Sequence, residues 1–363
     1  MYSDSDLDAA VAAGALSPDA ATSLRAYMDS RAASSPVDEE HFRLITGFND
    51  IFVAIAAAIL LFAVGWIGNS MGANIGGDGP SPFAGLFVAG TAWGLAEFFT
   101  RKRRMALPSI LLLLAFAGGV MLTAFATLVL GVGEAIFDDN ERAVALVVAA
   151  SAAIAAAATW LHWRRFRVPI TVAAGALAVV GVVMALIASA IGDVPQLENV
   201  MLASGLVLGI CVFLFAMWWD SSDRARQTRR SDVAFWLHLL AAPLIVHPIF
   251  TLLGLNDGDA SIGEAFVVLG VYVLLGITAL AIDRRALLVS ALAYVLFALI
   301  SLFRDFGAVE LNIALAAFVI GSGLLLLSAF WHGVRRSVVR PLPPGLQARL
   351  PVVDRTVPVA VAA

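Results

Sequence analysis

The sequence predicts an all-α fold, a polytopic membrane helix bundle of about ten transmembrane helices with both termini cytoplasmic. Three observations carry this expectation. Hydrophobic residues make up 61% of the 363 positions and charged residues 14%, far more apolar than a soluble domain. Continuous apolar runs of about 18–22 residues recur between Ile51 and Trp331, each long enough to cross a ~30 Å hydrocarbon core as a helix. Basic residues return in alternate gaps between those runs. The runs do not alternate with period two, which excludes a β-barrel and leaves helices to satisfy a lipid-exposed backbone.

In chain order, residues 1–49 are expected to form a cytoplasmic helical hairpin plus an interfacial helix. Ser3, Asp4 and Ser5 are cap candidates for a short helix carrying Leu7 and Val11, and Gly14 breaks it. Ser17-Pro18-Asp19 then supplies an N-cap and a first-turn proline for a second helix. Leu16, Leu24, Tyr27 and Met28 offer an apolar seam, but ~30 residues bury too little to be stable alone. After the linker AASSPV (32–37), Phe42, Ile45 and Phe48 recur at helical spacing and predict the interfacial helix. The opening MYSDSDLDAA is acidic where a signal peptide needs positive charge, so the first apolar run is expected to remain as a span.

The membrane domain, 50–331, divides into spans near 50–68, 82–100, 107–130, 142–162, 168–191, 199–219, 233–254, 262–282, 286–303 and 311–331. Asn49 and Asp50 stand at the mouth of the first, where capping is the simplest role. Glu97 closes the second, four residues before Arg101, the favourable order for a helical ion pair. The turns RMALPSI (104–110) and RFRVPIT (165–171) each set an arginine four residues before a proline suited to a first helical turn. That match predicts repeated two-span hairpins. Span four is rich in alanine. Span six holds Cys211, the one cysteine, read as a packing residue. It also holds Gly205 and Gly209, a GxxxG pattern that favours close helix contact within the chain or self-association between copies. Ser261 and Glu264 form a capping box at the start of span eight. The proline-rich, basic remainder, 332–363, is expected to be a disordered cytoplasmic tail.

Orientation follows from the basic residues, which are retained on the cytoplasmic side near span ends. Ten spans bring 21 of the 23 lysines and arginines to one side, in the N-terminal segment, the 101–104 cluster, three further turns and the tail. The opposite side receives only Arg142 and Arg304, beside twelve acids. A missed or invented span would scramble the alternation, so count and orientation support each other. Trp160, Trp163, Trp218, Trp219, Trp236 and Trp331 all fall at cytoplasmic ends, where indoles anchor at the headgroups.

The segments LDAAVAAGALSPDAATSLRAYM (7–28) and FRLITGFNDIFVAIAAAILLFAVGW (42–66), followed by hairpins with basic turns, carry a resemblance. The chain resembles an uncharacterised family of predicted bacterial multi-pass membrane proteins, a domain of unknown function with a short N-terminal cytosolic helical hairpin. The resemblance implies a bacterial inner (plasma) membrane and brings no activity, cofactor or site residue.

Ionisable groups inside a span are functional candidates because they are costly there. In span seven, WLHLLAAPLIVHPIF (236–250) holds His238 and His247 nine residues apart. That spacing projects them from nearly opposite faces, about 13 Å apart along the axis, so they cannot share a metal or haem. Each needs a partner on another helix, and His162 is the candidate for His238. Pro243 and Pro248 remove helix donors and free carbonyls to bend the span or to face a polar cavity. His238, Pro243, His247 and Pro248 are therefore the candidate cavity lining, weighed against a plain packing role. His41, His162 and His332 read as interfacial.

The sequence has no P-loop, HExxH, GxSxG, paired intramembrane aspartates or CxxCH. No catalytic residue, metal or cofactor is expected, and no nucleic acid. The lipid bilayer is the expected partner. The leading expectation is a non-enzymatic inner-membrane scaffold or sensor acting through its N-terminal segment and tail. A secondary transporter of a small solute, with a cavity near span seven, is the second. An intramembrane redox or haem protein is the third.

Overall fold

The computed structural model describes residues 7, 10–25, 48–133, 140–192, 194–224, 226, 228–253, 262–305 and 311–353. Phe42 and Ile45 of the expected interfacial helix, and Ser261 of the capping box, lie outside these residues. Two compact units divide the chain: Met1–Phe42 with Asp354–Ala363, and Arg43–Val353. In the first, helical residues 10–12 end near Gly14, whose φ of 71° suits a residue without Cβ. A second helix covers 18–25, opened by Ser17, whose Oγ accepts the Ala20 amide at 3.2 Å.

The second unit contains the long helices α1 (Phe48–Asn69), α2 (Pro82–Ala96), α3 (Ala106–Val132), α4 (Glu141–Phe166) and α5 (Ile170–Ile191). It continues through α6 (Leu197–Ser221), α7 (Arg229–Leu252), α8 (Ile262–Ile282), α9 (Ala286–Asp305) and α10 (Asn312–Val339), and ends with the short α11 (Pro344–Gln347). Ten of these helices are long and apolar enough to cross a membrane, and no strand occurs among the described residues. The protein is an all-α, multi-pass membrane protein. Sequence-coded caps set several starts. Ser81 accepts the Phe83 amide ahead of Pro82, Asn140 accepts the Ala143 amide at 3.1 Å, and Thr228 accepts the Arg230 amide at 3.3 Å. α2 runs on through a π-helical turn, Glu97–Lys102.

The odd-numbered helices pack in a row, α1 on α3, α3 on α5, α5 on α7 and α7 on α9, while each even-numbered helix from α2 to α8 lies against the odd helix that follows it. Span seven, α7, is the most enclosed, with 50% of its central window buried, against 6% for α10. Small residues permit the closest approaches. A Cβ added at Gly85 would collide with the backbone of Gly119, and one at Gly209 would stand 2.9 Å from Leu244. Gly205 faces Met184 and Pro248 of the same chain. Both glycines of the GxxxG pattern thus face neighbouring helices of their own chain, chiefly α7. Cys211, read as a packing residue, is instead exposed on α6.

Four basic turns share a backbone device. Arg104, Arg167, Arg226 and Asp283, which join α2 to α3, α4 to α5, α6 to α7 and α8 to α9, all adopt the left-handed conformation, with φ of 54°, 55°, 51° and 60°. A non-glycine residue gains nothing locally from that conformation, at a cost of roughly 1–2 kcal/mol. Its return at one place in four hairpins marks a structural repeat. Matching by the prolines pairs Arg104 with Arg165, whereas the backbone pairs Arg104 with Arg167, two residues on. The residue after the corner turns inward each time it is described: Met105, Val168 and Arg284 are all buried. Two are apolar plugs, and the third is a charge.

The segment after span ten differs from the disordered tail expected for 332–363. α10 continues about two turns past the expected end at 331, to Val339, and α11 follows. Trp331, Val339 and Leu350 share an apolar cluster with Leu287 and Leu288. Composition alone reads PLPPGLQARLP as extended; these anchors, and the arginines below, fold it back. Residues 354–363 lie outside the described residues.

Candidate functional site

Apart from Asp50 on α1, the buried charge of the described residues gathers at one place, the basic end of α6 to α10. Asp220, in the last turn of α6, is fully buried, as are Asp283, Arg284 and Arg335, each no more than 3% exposed. Asp220 Oδ1 accepts from Arg284 Nη2 at 2.8 Å, and its Oδ2 lies 3.4 Å from Arg284 Nε and 3.7 Å from Arg226 Nη2. Asp283 Oδ2 accepts from Arg226 Nη1 at 2.9 Å. Asp283 Oδ1 accepts the Trp331 indole N–H at 2.8 Å and stands 3.5 Å from Arg335 Nε. Two aspartates, three arginines and one indole therefore tie together α6, α10 and the turns after α6 and α8.

The local backbone makes this arrangement. The left-handed corners at Arg226 and Asp283 turn each chain sharply back toward the bundle, and the Arg226 guanidinium also donates to the carbonyls of Ile282 and Asp283 at 3.1 and 3.2 Å. Arg284 fills the inward position that Met105 and Val168 fill in the earlier hairpins, and it donates to the Ser231 carbonyl at 3.0 Å. An arginine there must have a buried countercharge. Asp220 supplies it.

The same end holds the returning chain. Arg335 Nη2 donates to the Pro351 carbonyl at 2.8 Å and Nη1 to that of Val352 at 3.2 Å. Arg224 Nε donates to the Leu350 carbonyl at 2.9 Å and Nη2 to that of Gln347 at 3.1 Å. Gln347 Nε2 in turn donates to the carbonyls of Arg340 and Leu342 at 3.1 and 2.7 Å. Six carbonyls of this segment are held by two arginines and a glutamine.

The residues singled out in span seven are dispersed. His238 is 1% exposed, with Nε2 3.6 Å from Asp220 Oδ2, a spacing longer than a direct hydrogen bond. Its ring meets Phe213 edge-on. His247 is exposed, and its Nδ1 lies 2.7 Å from the Tyr294 hydroxyl of α9. Pro248 is buried and Pro243 exposed. None of the four lines the apolar groove of about 180 Å³ that lies between α9 and α10.

His162 and His238 are not brought together. His162 is boxed by Trp93, Phe116 and Phe166, with Thr171 Oγ1 3.3 Å from Nδ1, while α5 packs between α4 and α7. Glu97 does more than pair with Arg101 at 3.3 Å: Arg165 reaches it in a fork, Nε at 2.7 Å and Nη2 at 2.9 Å, joining α2 to α4. Trp331, read as a headgroup anchor, is 2% exposed and bonded to Asp283. Sequence reading missed Asp220 and Asp283 altogether. The available signal was two aspartates at span ends crowded with arginines.

No group of three or more histidine, cysteine, aspartate or glutamate residues with metal-binding geometry occurs among the described residues. Chemically, the cluster is suited to holding helices and the returning segment 347–352 in register. No protein-family model, curated protein or solved structure matches the chain.

Proposed function

We propose that this multi-pass membrane protein is non-enzymatic and serves as a scaffold or sensor at the cytoplasmic face of a bacterial inner membrane. One observation carries the reading: the buried charges at the basic end are engaged with one another and with the returning chain. Each carboxylate oxygen of Asp220 and Asp283 has an arginine or indole hydrogen atom within hydrogen-bonding range. Groups engaged in this way hold an end of a bundle rigid. Around them Arg101, Arg103, Arg164, Arg229, Arg336 and Arg340 are exposed, a basic surface suited to acidic protein segments and anionic headgroups. The cytoplasmic orientation rests on the side-to-side asymmetry of lysine and arginine, and the bacterial setting on the resemblance of residues 7–28 and 42–66.

The test is affinity purification from membranes of the full chain, of a chain lacking residues 1–49, and of an Arg335→Met variant. A scaffold retains a defined partner in the first and loses it in one of the others. Identical recovery in all three would contradict the reading.

A secondary transporter is the second reading, and one observation favours it. Pro243 and Pro248 bracket His247, which bonds Tyr294 on an exposed stretch of α7 away from either helix end. Prolines beside a polar pair are a means of bending a span around a solute. Proton-coupled flux in proteoliposomes that is abolished by His247→Phe would move the preference to this reading.

A further inference from the structure

The groove between α9 and α10 is lined by Leu288 and Leu292 on one side and Leu324 and Leu327 on the other, with Trp331 and Arg285 at its basic end. From Arg285 to Leu292 it spans about 10 Å of helix axis. Its walls are hydrocarbon, and in a bilayer it faces acyl chains. What separates it from an ordinary lipid-facing furrow is its mouth. Arg226, Arg284 and Arg335 all meet carboxylates, but Arg285 meets none among the described residues; its guanidinium lies over the Trp331 ring, 4.8 Å from the centroid. The ring is itself fixed by its bond to Asp283, so Arg285 is held at the groove's end. α9 begins at the next residue, with the positive end of its dipole at the same place.

We propose that this groove binds one anionic phospholipid, with an acyl chain between α9 and α10 and the phosphate on Arg285. Charge complementarity selects this occupant: the neighbouring arginines Arg226, Arg284 and Arg335 meet carboxylates, whereas Arg285 meets none among the described residues and leaves its charge at the mouth for an anionic headgroup. A zwitterionic lipid fills the same apolar volume but brings its own cation to the mouth.

Native mass spectrometry of the full chain in mild detergent tests the site, using equal amounts of phosphatidylglycerol and phosphatidylcholine with identical acyl chains. One retained phosphatidylglycerol, preferred about fivefold over phosphatidylcholine, is the expected result, since one arginine near the headgroups is worth roughly that factor. Arg285→Gln brings the ratio close to unity, Arg285→Lys keeps most of the preference, and Leu292→Trp, which fills the groove, releases both lipids. Millimolar inorganic phosphate leaves the retained lipid in place. Equal retention of both lipids by the wild-type chain overturns the proposal. So does a preference that survives Arg285→Gln, unchanged retention in a folded Leu292→Trp variant, or displacement by phosphate alone. If Leu292→Trp does not fold, the Arg285 pair decides.

Discussion

Replacing Asp220 with asparagine removes one buried negative charge while keeping the shape of the side chain. Its neighbours do not lose equally. Arg226 keeps Asp283 Oδ2 at 2.9 Å and two backbone carbonyls, so it remains compensated. Arg284 keeps the Ser231 carbonyl at 3.0 Å, the face of Phe235 and the more distant carboxylate of Asp232, in a site 2% exposed. One buried guanidinium loses its hydrogen-bonded countercharge, a change that costs about 3–5 kcal/mol when nothing replaces it. The amide oxygen still accepts one hydrogen bond, which places Asp220→Asn near ~3 kcal/mol. Unfolding by SDS titration of mixed micelles, followed through helicity, measures it. The companion variant Asp220→Leu/Arg284→Met removes both charges and is expected within about 1 kcal/mol of the wild-type chain. A loss below ~1 kcal/mol in the single variant, or a double variant as unstable as the sum of its parts, would refute the claim that Asp220 exists to neutralise Arg284.

Three further outcomes follow from the geometry. Gly209→Leu forces α6 away from Leu244 and is expected to destabilise by about 1–3 kcal/mol in the same titration; if the glycine pair also joins copies, size-exclusion mass falls in parallel. Trp331→Phe leaves Asp283 Oδ1 without its indole donor and is expected to cost about 1–3 kcal/mol, whereas Trp218→Phe on the exposed face of α6 stays within ~0.5 kcal/mol. Glu97→Gln breaks a fork whose arginine is 41% exposed, so its effect on stability is small and shrinks as salt is added; a large, salt-independent loss would show the pair to be dry.

The ten helices were legible because apolar length and alternating charge are read one segment at a time. α8 has the range expected from hydropathy, and α5 differs only at its start, where Pro169 caps the helix and the first helical residue is Ile170. The charge cluster was not legible for a physical reason. Counting arginines for orientation treats every basic turn as a solvated patch, and Arg226, Arg284 and Arg335 are not solvated. Their burial depends on Asp220 and Asp283, which stand 63 residues apart and meet only through the packing of α6, α7 and α9. The fold of residues 340–353 was hidden similarly, because its anchors are arginine side chains from elsewhere in the chain bonded to its carbonyls. The nine-residue spacing of His238 and His247, by contrast, is local, and one histidine does end buried on Asp220 while the other is exposed on Tyr294. Periodicity places a side chain on a face; it does not say which neighbour that face meets.

The buried charges act as architecture and hold the returning chain against the basic end of the bundle. Amide hydrogen exchange over residues 346–352, in lipid nanodiscs, tests this most directly. The amides of Leu346 to Leu350 bond to carbonyls of the same turn, and that of Val352 bonds to Arg224 O at 3.4 Å. The wild-type chain is expected to protect this peptide on the timescale of the flanking helix α10, and Asp283→Asn, which loosens Arg335 and Trp331, is expected to release it by at least about tenfold. Full exchange of the peptide in the wild-type chain within seconds, or protection unchanged by Asp283→Asn, would contradict the claim.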